Sequence, residues 1–285
     1  MQISFIGAGK VGVSLGTYFI KKGRKVGGYY SLSPESAVWA ASFTGTKQFN
    51  HLEQIMSSSD MIIFTVPDDR IAEVWEEAKP FANGKIIAHC SGIHSSKIFS
   101  DIERTGSIAY SIHPLCAISD RETSWEQLGD TLFTIEGDTR NISSITDMFT
   151  QMGNRTRTIT AEDKSKYHAA ASLASNHMTA VFFMAQKLFL ECGFSEEEAR
   201  EELYQLAKGN LENIHKQGCI RSLTGPIERN DIDTVKMHLC DLNSQQKAAY
   251  KENGKQLVAI AREKNPDRDY GEMDKLFAQN EMERA

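Results

Sequence analysis

No run of apolar residues in this chain is long enough to span a bilayer, so a membrane-embedded protein is not expected. Paired cysteines are missing as well. Cys90, Cys116, Cys192, Cys219 and Cys240 are odd in number, far apart and form no CxxC motif, which leaves neither a disulfide framework nor a zinc site. Lone cysteines of this kind are mostly buried small hydrophobes, and they fit a reducing, cytoplasmic compartment. Positive charge is not in excess. A formal net charge of -6 and a pI near 5.8 speak against nucleic acid or an anionic membrane as partner. No basic segment precedes the strand pattern of MQISFIGAGK, so a signal peptide is not expected. The histidines show no metal-ligand spacing, and the chain has neither an internal repeat nor a low-complexity segment.

What is present is ordinary globular material. With 285 residues, 40% hydrophobic and 25% charged, the chain has enough for roughly two domains of ~150 residues each. ISFIG, KVGGYY, MIIFTV, KIIAHC, IAYSI and TLFTIEG read as short strands. Between them lie the helical patterns VGVSLGTYFIKKG, HLEQIMSS and DRIAEVWEEAKP. Strands alternating with helices predict an α/β domain, a doubly wound parallel sheet covered on both faces. After residue 160 the strand signals stop. Thr160 and Asp163 offer a cap for a helix running to about Cys192, and Ser195 with Glu198 make a capping box for the next. DIDTVKMHLCDL and SQQKAAYKENGKQLVAIAREK add two more. The reading is therefore a domain over 1–155 followed by an all-helical domain over 156–285. The charged last segment, about 15 residues, reads as a weakly ordered tail.

FIGAGKVG supplies the chemistry of the first domain. Gly7, Gly9 and Gly12 form GxGxxG directly after a strand and at the opening of a helix. The three glycines suit a tight turn, a close approach of backbone to pyrophosphate and close helix–strand packing. The helix N-terminus then offers unpaired N–H groups to the phosphates, so Gly7, Ala8, Gly9, Lys10, Val11 and Gly12 are expected to bind a dinucleotide. An NAD site usually carries Asp or Glu about 20 residues further on. Here Tyr30, Ser31, Leu32 and Ser33 stand instead. Hydroxyls accommodate a 2′-phosphate without repulsion, which favours NADP over NAD, with Lys10, Arg24 or Lys25 as the charge. The plainer alternative is a surface turn, since Ser-Pro often starts one.

Two further strand ends point the same way. Val66 and Pro67 close MIIFTV, and His89, Ser91 and Gly92 follow the next strand. Ligands of open α/β sheets sit beyond the carboxyl ends of the strands, so Val66, Pro67 and Ser91 are expected to bind the cofactor at its nicotinamide end, with Ser91 also a candidate substrate contact. His113, before Pro114, stands at another tip, as a substrate contact or as a packed loop imidazole. In KYHAAASLASN, His168, Ser172 and Asn176 fall at i, i+4 and i+8, on one helical face. His177 falls about 100° round the helix and reads as packing or surface.

FIGAGKVG, FTVPDDRI, HCSGIHSS, SIHPL, KYHAAASLASN and LTGPIERND, in this order, closely resemble an uncharacterised family of two-domain Rossmann-like proteins, over nearly the whole chain. The C-terminal helical domain of that family is known only as a domain of unknown function. More distantly the chain is similar to β-hydroxyacid dehydrogenases, pyrroline-5-carboxylate reductase and deazaflavin-dependent NADP reductases. The resemblance implies an NADP-binding Rossmann domain, a helical domain like that of 6-phosphogluconate dehydrogenase, and a homodimer. It departs at one point. The dehydrogenases carry a Lys and then an Asn on the long helix that opens their second domain. Asn176 matches the Asn, but Ser172 stands one turn before it and Lys166 is turned off that face.

Hydride transfer to a carbonyl or imine needs a proton donor at the developing negative charge. An imidazole titrates near neutrality, so His168 is the expected general acid/base, with Asn176 orienting the substrate and Ser172 beside them. Thr224 and Arg229 sit in a Gly-Pro turn. They either serve only that turn or close over the substrate, Thr224 as a catalytic candidate and Arg229 binding a substrate carboxylate. The expected activity is NADP-dependent oxidation or reduction of a small carbonyl, hydroxyl or imine compound. The alternatives are a dinucleotide sensor without turnover and a deazaflavin-dependent reductase.

Overall fold

The computed structural model describes residues 1–278 and divides into two compact units, Met1–Asn176 and a second from His177 on. In the first, β1 (Gln2–Ile6), α1 (Lys10–Lys21), β2 (Lys25–Tyr30), α2 (Pro34–Thr44), β3 (Lys47–Gln48), α3 (Leu52–Ser57), β4 (Met61–Phe64), α4 (Ile71–Ala78), β5 (Ile86–His89) and β6 (Ile108–Pro114) follow in chain order. The alternation of strands with helices was expected, whereas β3 was not, and only 3-10 segments separate β5 from β6. They are followed by β7 (Leu132–Gly137), α5 (Ile142–Gln151), β8 (Arg155–Thr158) and α6 (Lys164–Ser172). The eight strands form one sheet in the order β3-β2-β1-β4-β5-β6-β7-β8. The order reverses between β1 and β4, and the carboxyl tips of β1, β2, β4, β5 and β6 share one edge because these strands are parallel.

The sheet departs from the expected all-parallel pattern at its far side. β7 runs antiparallel to β6, with Ile112 opposite Ile135, and β8 is parallel to β7. The link from β6 to β7 holds only a short 3-10 segment, Ser124–Gly129. The link from β5 to β6 likewise carries only 3-10 segments, Ser96–Ile98 and Ile102–Thr105, and those two strands are parallel, so the lack of a helix does not by itself set the direction. Helices cover both faces, over cores built on Phe5, Phe19, Phe133 and Phe149 on one side and Phe64, Trp75 and Phe99 on the other. Each large buried side chain contributes roughly 1.5–3 kcal/mol of transfer free energy.

A single helix was expected from about residue 163 to Cys192. The chain instead forms α6, a π turn over Leu173–His177, and α7 (Met178–Glu191). The second unit continues with α8 (Glu196–Ser222), α9 (Pro226–Arg229), α10 (Ile232–Asp241), α11 (Ser244–Lys264) and α12 (Gly271–Ala278). The Ser195–Glu198 capping box is present, and α8 is kinked at Gly218, whose φ of 79° is left-handed. The expected tail is partly a helix. Met273 and Phe277 of α12 are buried with Val235, Val258 and Tyr270, while residues 279–285 lie outside the described residues.

Candidate active site

The glycine-rich turn is built around Thr65. β1 ends at Ile6, and Gly7, with φ of 116°, turns the chain in a conformation that only glycine adopts easily. Gly7 N donates to the Tyr30 carbonyl at 2.8 Å, and the Thr65 hydroxyl donates to the Gly7 carbonyl at 2.9 Å. A β-carbon on Gly12 would stand 2.5 Å from both Gly7 O and Thr65 Oγ1, so α1 packs against the turn only through a glycine. Gly9 differs. It is exposed, and a β-carbon there would meet nothing within 4 Å. No side chain caps α1, and no acidic residue occupies its first turn, so its N–H groups open onto that space. A pyrophosphate fits this cradle. Ala8 is buried beneath it, Val11 is half-buried and Lys10 is exposed at the helix start.

At the tip of β2, no carboxylate stands at Tyr30, Ser31, Leu32 or Ser33. The Ser33 hydroxyl caps α2 by accepting from Ser36 N at 3.3 Å, and Ser31 Oγ accepts from Ser33 N at 3.2 Å. Both hydroxyls therefore serve the turn, although the segment remains accessible. Arg24 and Lys25 do not belong to this tip. They stand at the opposite end of β2, about five residues or ~16 Å away, and Arg24 is bonded to Met148 O and Gln151 on α5. Lys10 is the expected cation that remains on the glycine-loop side.

Beyond β5 the side chains are densely bonded. His89 is fully buried. Its Nδ1 accepts from Ser91 N at 3.1 Å, its Nε2 lies 3.1 Å from Ser95 O, and burial holds the imidazole down to about 3. The Ser91 hydroxyl donates to Asp68 at 2.8 Å and accepts from Ile93 N and His94 N. It is thus occupied in tying the β4 and β5 tips together, rather than free for a substrate. Val66 is half-buried and Pro67 exposed just before Asp68.

His113 is not a loose surface imidazole. Its Nδ1 lies 2.7 Å from the Tyr167 hydroxyl with the two rings nearly perpendicular, and the His168 ring centroid is 6.4 Å away. Burial, then the nearby charges of Lys164 and His168, push His113 down to about 4, so it is neutral at pH 7. Gly92 makes room for the pair. A β-carbon there would collide with His168 Cδ2 and lie 3.1 Å from the Nε2 atoms of both histidines. A cavity of about 690 Å³ opens beside them, and its lining includes His113, Tyr167, His168, Ser172 and Asn176. The structure therefore brings four of the expected site residues into one cavity, all within the first unit.

Thr224 and Arg229 lie in the second unit and are exposed. Their turn has a full structural account. Asn230 adopts the left-handed conformation and donates to Asp269 O, Asp231 caps α10 through Thr234 N, and the Glu228 carbonyl accepts from the Tyr270 hydroxyl.

Sequence reading missed Lys164, Tyr167, Asp68 and Ser111. Lys164, only 1% exposed, donates through Nζ to Ser91 O at 2.8 Å and to Ser111 Oγ at 2.6 Å. Burial lowers its pKa to about 8, against the pull of Glu136, Cys90 and Asp68. One signal was available: Lys164, Tyr167 and His168 stand at i, i+3 and i+4 and share a face.

Matches to known proteins define the class first. Residues 1–114 match the model of the Rossmann-like domain, and residues 131–257 match that of a domain of unknown function, DUF2520. The chain is thus a two-domain protein of the kind its motifs point to, a Rossmann-like domain joined to DUF2520. Among solved structures it is similar to protein TM1727 from Thermotoga maritima, at 26% identity and a TM-score of 0.72, over 92% of this chain and 98% of that one. It is also similar in fold to the NADP-bound pyrroline carboxylate reductase of Plasmodium falciparum, at 17% identity and TM-score 0.61, covering 93% and 96% of the two chains. A reductive aminase from Aspergillus terreus, in complex with NADPH and ethyl-5-oxohexanoate, shares 16% identity at TM-score 0.63, over 92% and 87%. No curated protein matches the chain.

Proposed function

We propose that the protein is an NADP-dependent oxidoreductase that moves a hydride to or from a small carbonyl, hydroxyl or imine compound. The observation that carries this reading is a phosphate cradle at Gly9 on the same sheet edge as a cavity lined by His113, His168, Ser172 and Asn176. Two solved proteins of similar fold, a pyrroline carboxylate reductase with NADP bound and a reductive aminase in complex with NADPH, support the same class. Gly7, Gly9 and Gly12 would hold the pyrophosphate at the N-terminus of α1, and the acid-free tip at Tyr30–Ser33 favours a 2′-phosphate over a bare ribose. When bound, the dinucleotide supplies or accepts the hydride.

The chain's own residues supply the rest. His168 holds the proton delivered to the substrate oxygen or nitrogen, and the Asn176 carboxamide orients that atom. His113, neutral and bonded to Tyr167, presents a polar wall without adding charge. The homodimer is part of the proposal. It is supported by Val181 and Phe183 on α7 and Tyr204, Leu206 and Leu211 on α8, all exposed. Fluorescence titration with NADPH, followed by turnover of a panel of keto acids and imines, tests the reading. Binding with turnover of at least one compound, lost in His168→Ala, is expected. Tight binding without any turnover would favour a dinucleotide sensor, and no binding would end the proposal.

A further inference from the structure

Among the described residues two charged side chains, Lys164 and Glu136, are buried without an ion-pair contact and have no part in the reading above. Lys164 opens α6, and its ammonium ends between the loop just after β5, at Ser91, and the middle of β6, at Ser111. Ser111 Oγ also reaches Ser91 O at 3.3 Å, so the lysine completes a triangle that joins α6, the loop after β5 and β6. Nothing in ordinary core packing calls for a cation here. Removing an ammonium from water is costly, and an aliphatic side chain of similar length would fill the space without that cost. The compensating carboxylate, Glu136 on β7, acts at a distance. It is itself buried and accepts from Ser96 N at 2.6 Å and Ser96 Oγ at 2.9 Å.

The position of the clamp gives it a purpose. Tyr167 and His168 stand one turn further along α6 and meet His113 and Gly92 on the other wall. We propose that Lys164 is a positioning residue of the cleft: by gripping the Ser91 carbonyl and the Ser111 hydroxyl, it holds the first turn of α6 on the loop after β5 and the middle of β6, and so sets Tyr167 and His168 opposite His113. The inference rests on the oxidoreductase reading only in calling this cavity a reaction cleft. The groups facing Lys164 are Glu136 from β7, Cys90 after β5 and Asp68 after β4; those facing His113 are Lys164, His168 and Tyr167.

The test compares wild type with Lys164→Met by ¹⁵N imidazole nuclear magnetic resonance over pH 4 to 8, with an NADPH titration in parallel. In wild type, His113 is expected to stay neutral through most of that range with its Nδ1 hydrogen-bonded. In Lys164→Met the loss of a positive charge by itself raises the His113 midpoint, so the positioning role is read from geometry: the Nδ1 signature of the Tyr167 bond should weaken and the His168 signals should shift. A folded variant in which the signals of His113 and His168 match wild type would overturn the proposal. So would one that lowers only the unfolding temperature, since that marks a merely structural lysine. If Lys164→Met does not fold, Ser111→Ala keeps the charge and removes one anchor. The His113 signals should then shift in part, and unchanged signals again overturn the idea. Absence of NADPH binding in wild type would count against the oxidoreductase reading alone, because the imidazole comparison needs no cofactor.

Discussion

At the scale of single residues, three glycines of this chain do different work, and their environments separate them. Gly12 has no space for a side chain, since a β-carbon would press on Gly7 O and Thr65 Oγ1 at 2.5 Å. Gly12→Ala is therefore expected to destabilise the fold by about 1–3 kcal/mol, read as a fall in the urea midpoint. Gly9 faces open space, so Gly9→Ala should leave that midpoint nearly unchanged while weakening NADPH binding several-fold, because the methyl group intrudes where backbone would approach phosphate. Equal NADPH affinity in Gly9→Ala and wild type would remove the cofactor from this loop. Gly92→Ala should displace the His168 ring and abolish turnover of any substrate that the panel identifies; retained activity would show that the ring is free to move aside without consequence. The expected cations at β2 illustrate the limit of residue-level reading. Arg24 and Lys25 are close in sequence to Tyr30, but a strand carries them to the other end of the sheet.

At the scale of elements, legibility followed how local each signal was. The long helices and central strands were read because apolar periodicity needs only neighbouring residues. The Ser195–Glu198 box is of the same kind, as Ser195 Oγ accepts from Glu198 N at 3.2 Å while Glu198 bonds back to Ser195 N at 2.8 Å. Ser195→Ala should cost about 1 kcal/mol in urea unfolding, with no change in NADPH affinity. A loss of cofactor binding in that variant would mean that the α8 cap reaches further than its own helix. Two strands escaped for physical reasons. β3 is two residues long, and β8 reads RTRT, with no apolar face to betray it at the edge of the sheet. The direction of β7 was also out of reach: the links before β6 and before β7 both lack an α-helix, yet β6 runs parallel to β5 and β7 antiparallel to β6. The π turn at Leu173–His177 leaves no mark in an alanine- and serine-rich segment, yet it lies in the stretch that ends at Asn176.

At the scale of the whole molecule, the buried histidines link folding to pH. The unfolded chain takes up protons at His89 and His113 as pH falls through about 6.5, whereas the folded protein resists until about 3 and about 4. More protons are bound by the unfolded state across that window, so stability falls with falling pH. By pH 5 each histidine should have cost roughly 2 kcal/mol relative to pH 7.5, and His113→Gln should remove about half of the drop. Urea midpoints at pH 7.5, 6 and 5 check this, and a flat profile would show that these imidazoles are better solvated than the structure indicates. Lys164 acts with the same sign at higher pH. Its folded value near 8 lies below the unfolded 10.5, so shedding its proton between them relieves the buried charge and raises stability.

By itself the sequence determined the class: a glycine loop after the first strand, strands alternating with helices, and then helices alone. Those features rest on contacts between residues close in the chain, and their patterns can be counted along it. It also placed His168, Ser172 and Asn176 on one helical face. Tertiary structure alone decided what that face meets. The ammonium of Lys164 is bonded to groups 73 and 53 residues away, and His113 finds Tyr167 across 54. Whether a lysine is solvated or buried, and whether an imidazole is charged or neutral, depends on the dielectric and the partners that folding assembles around it. No spacing along the chain encodes that surrounding.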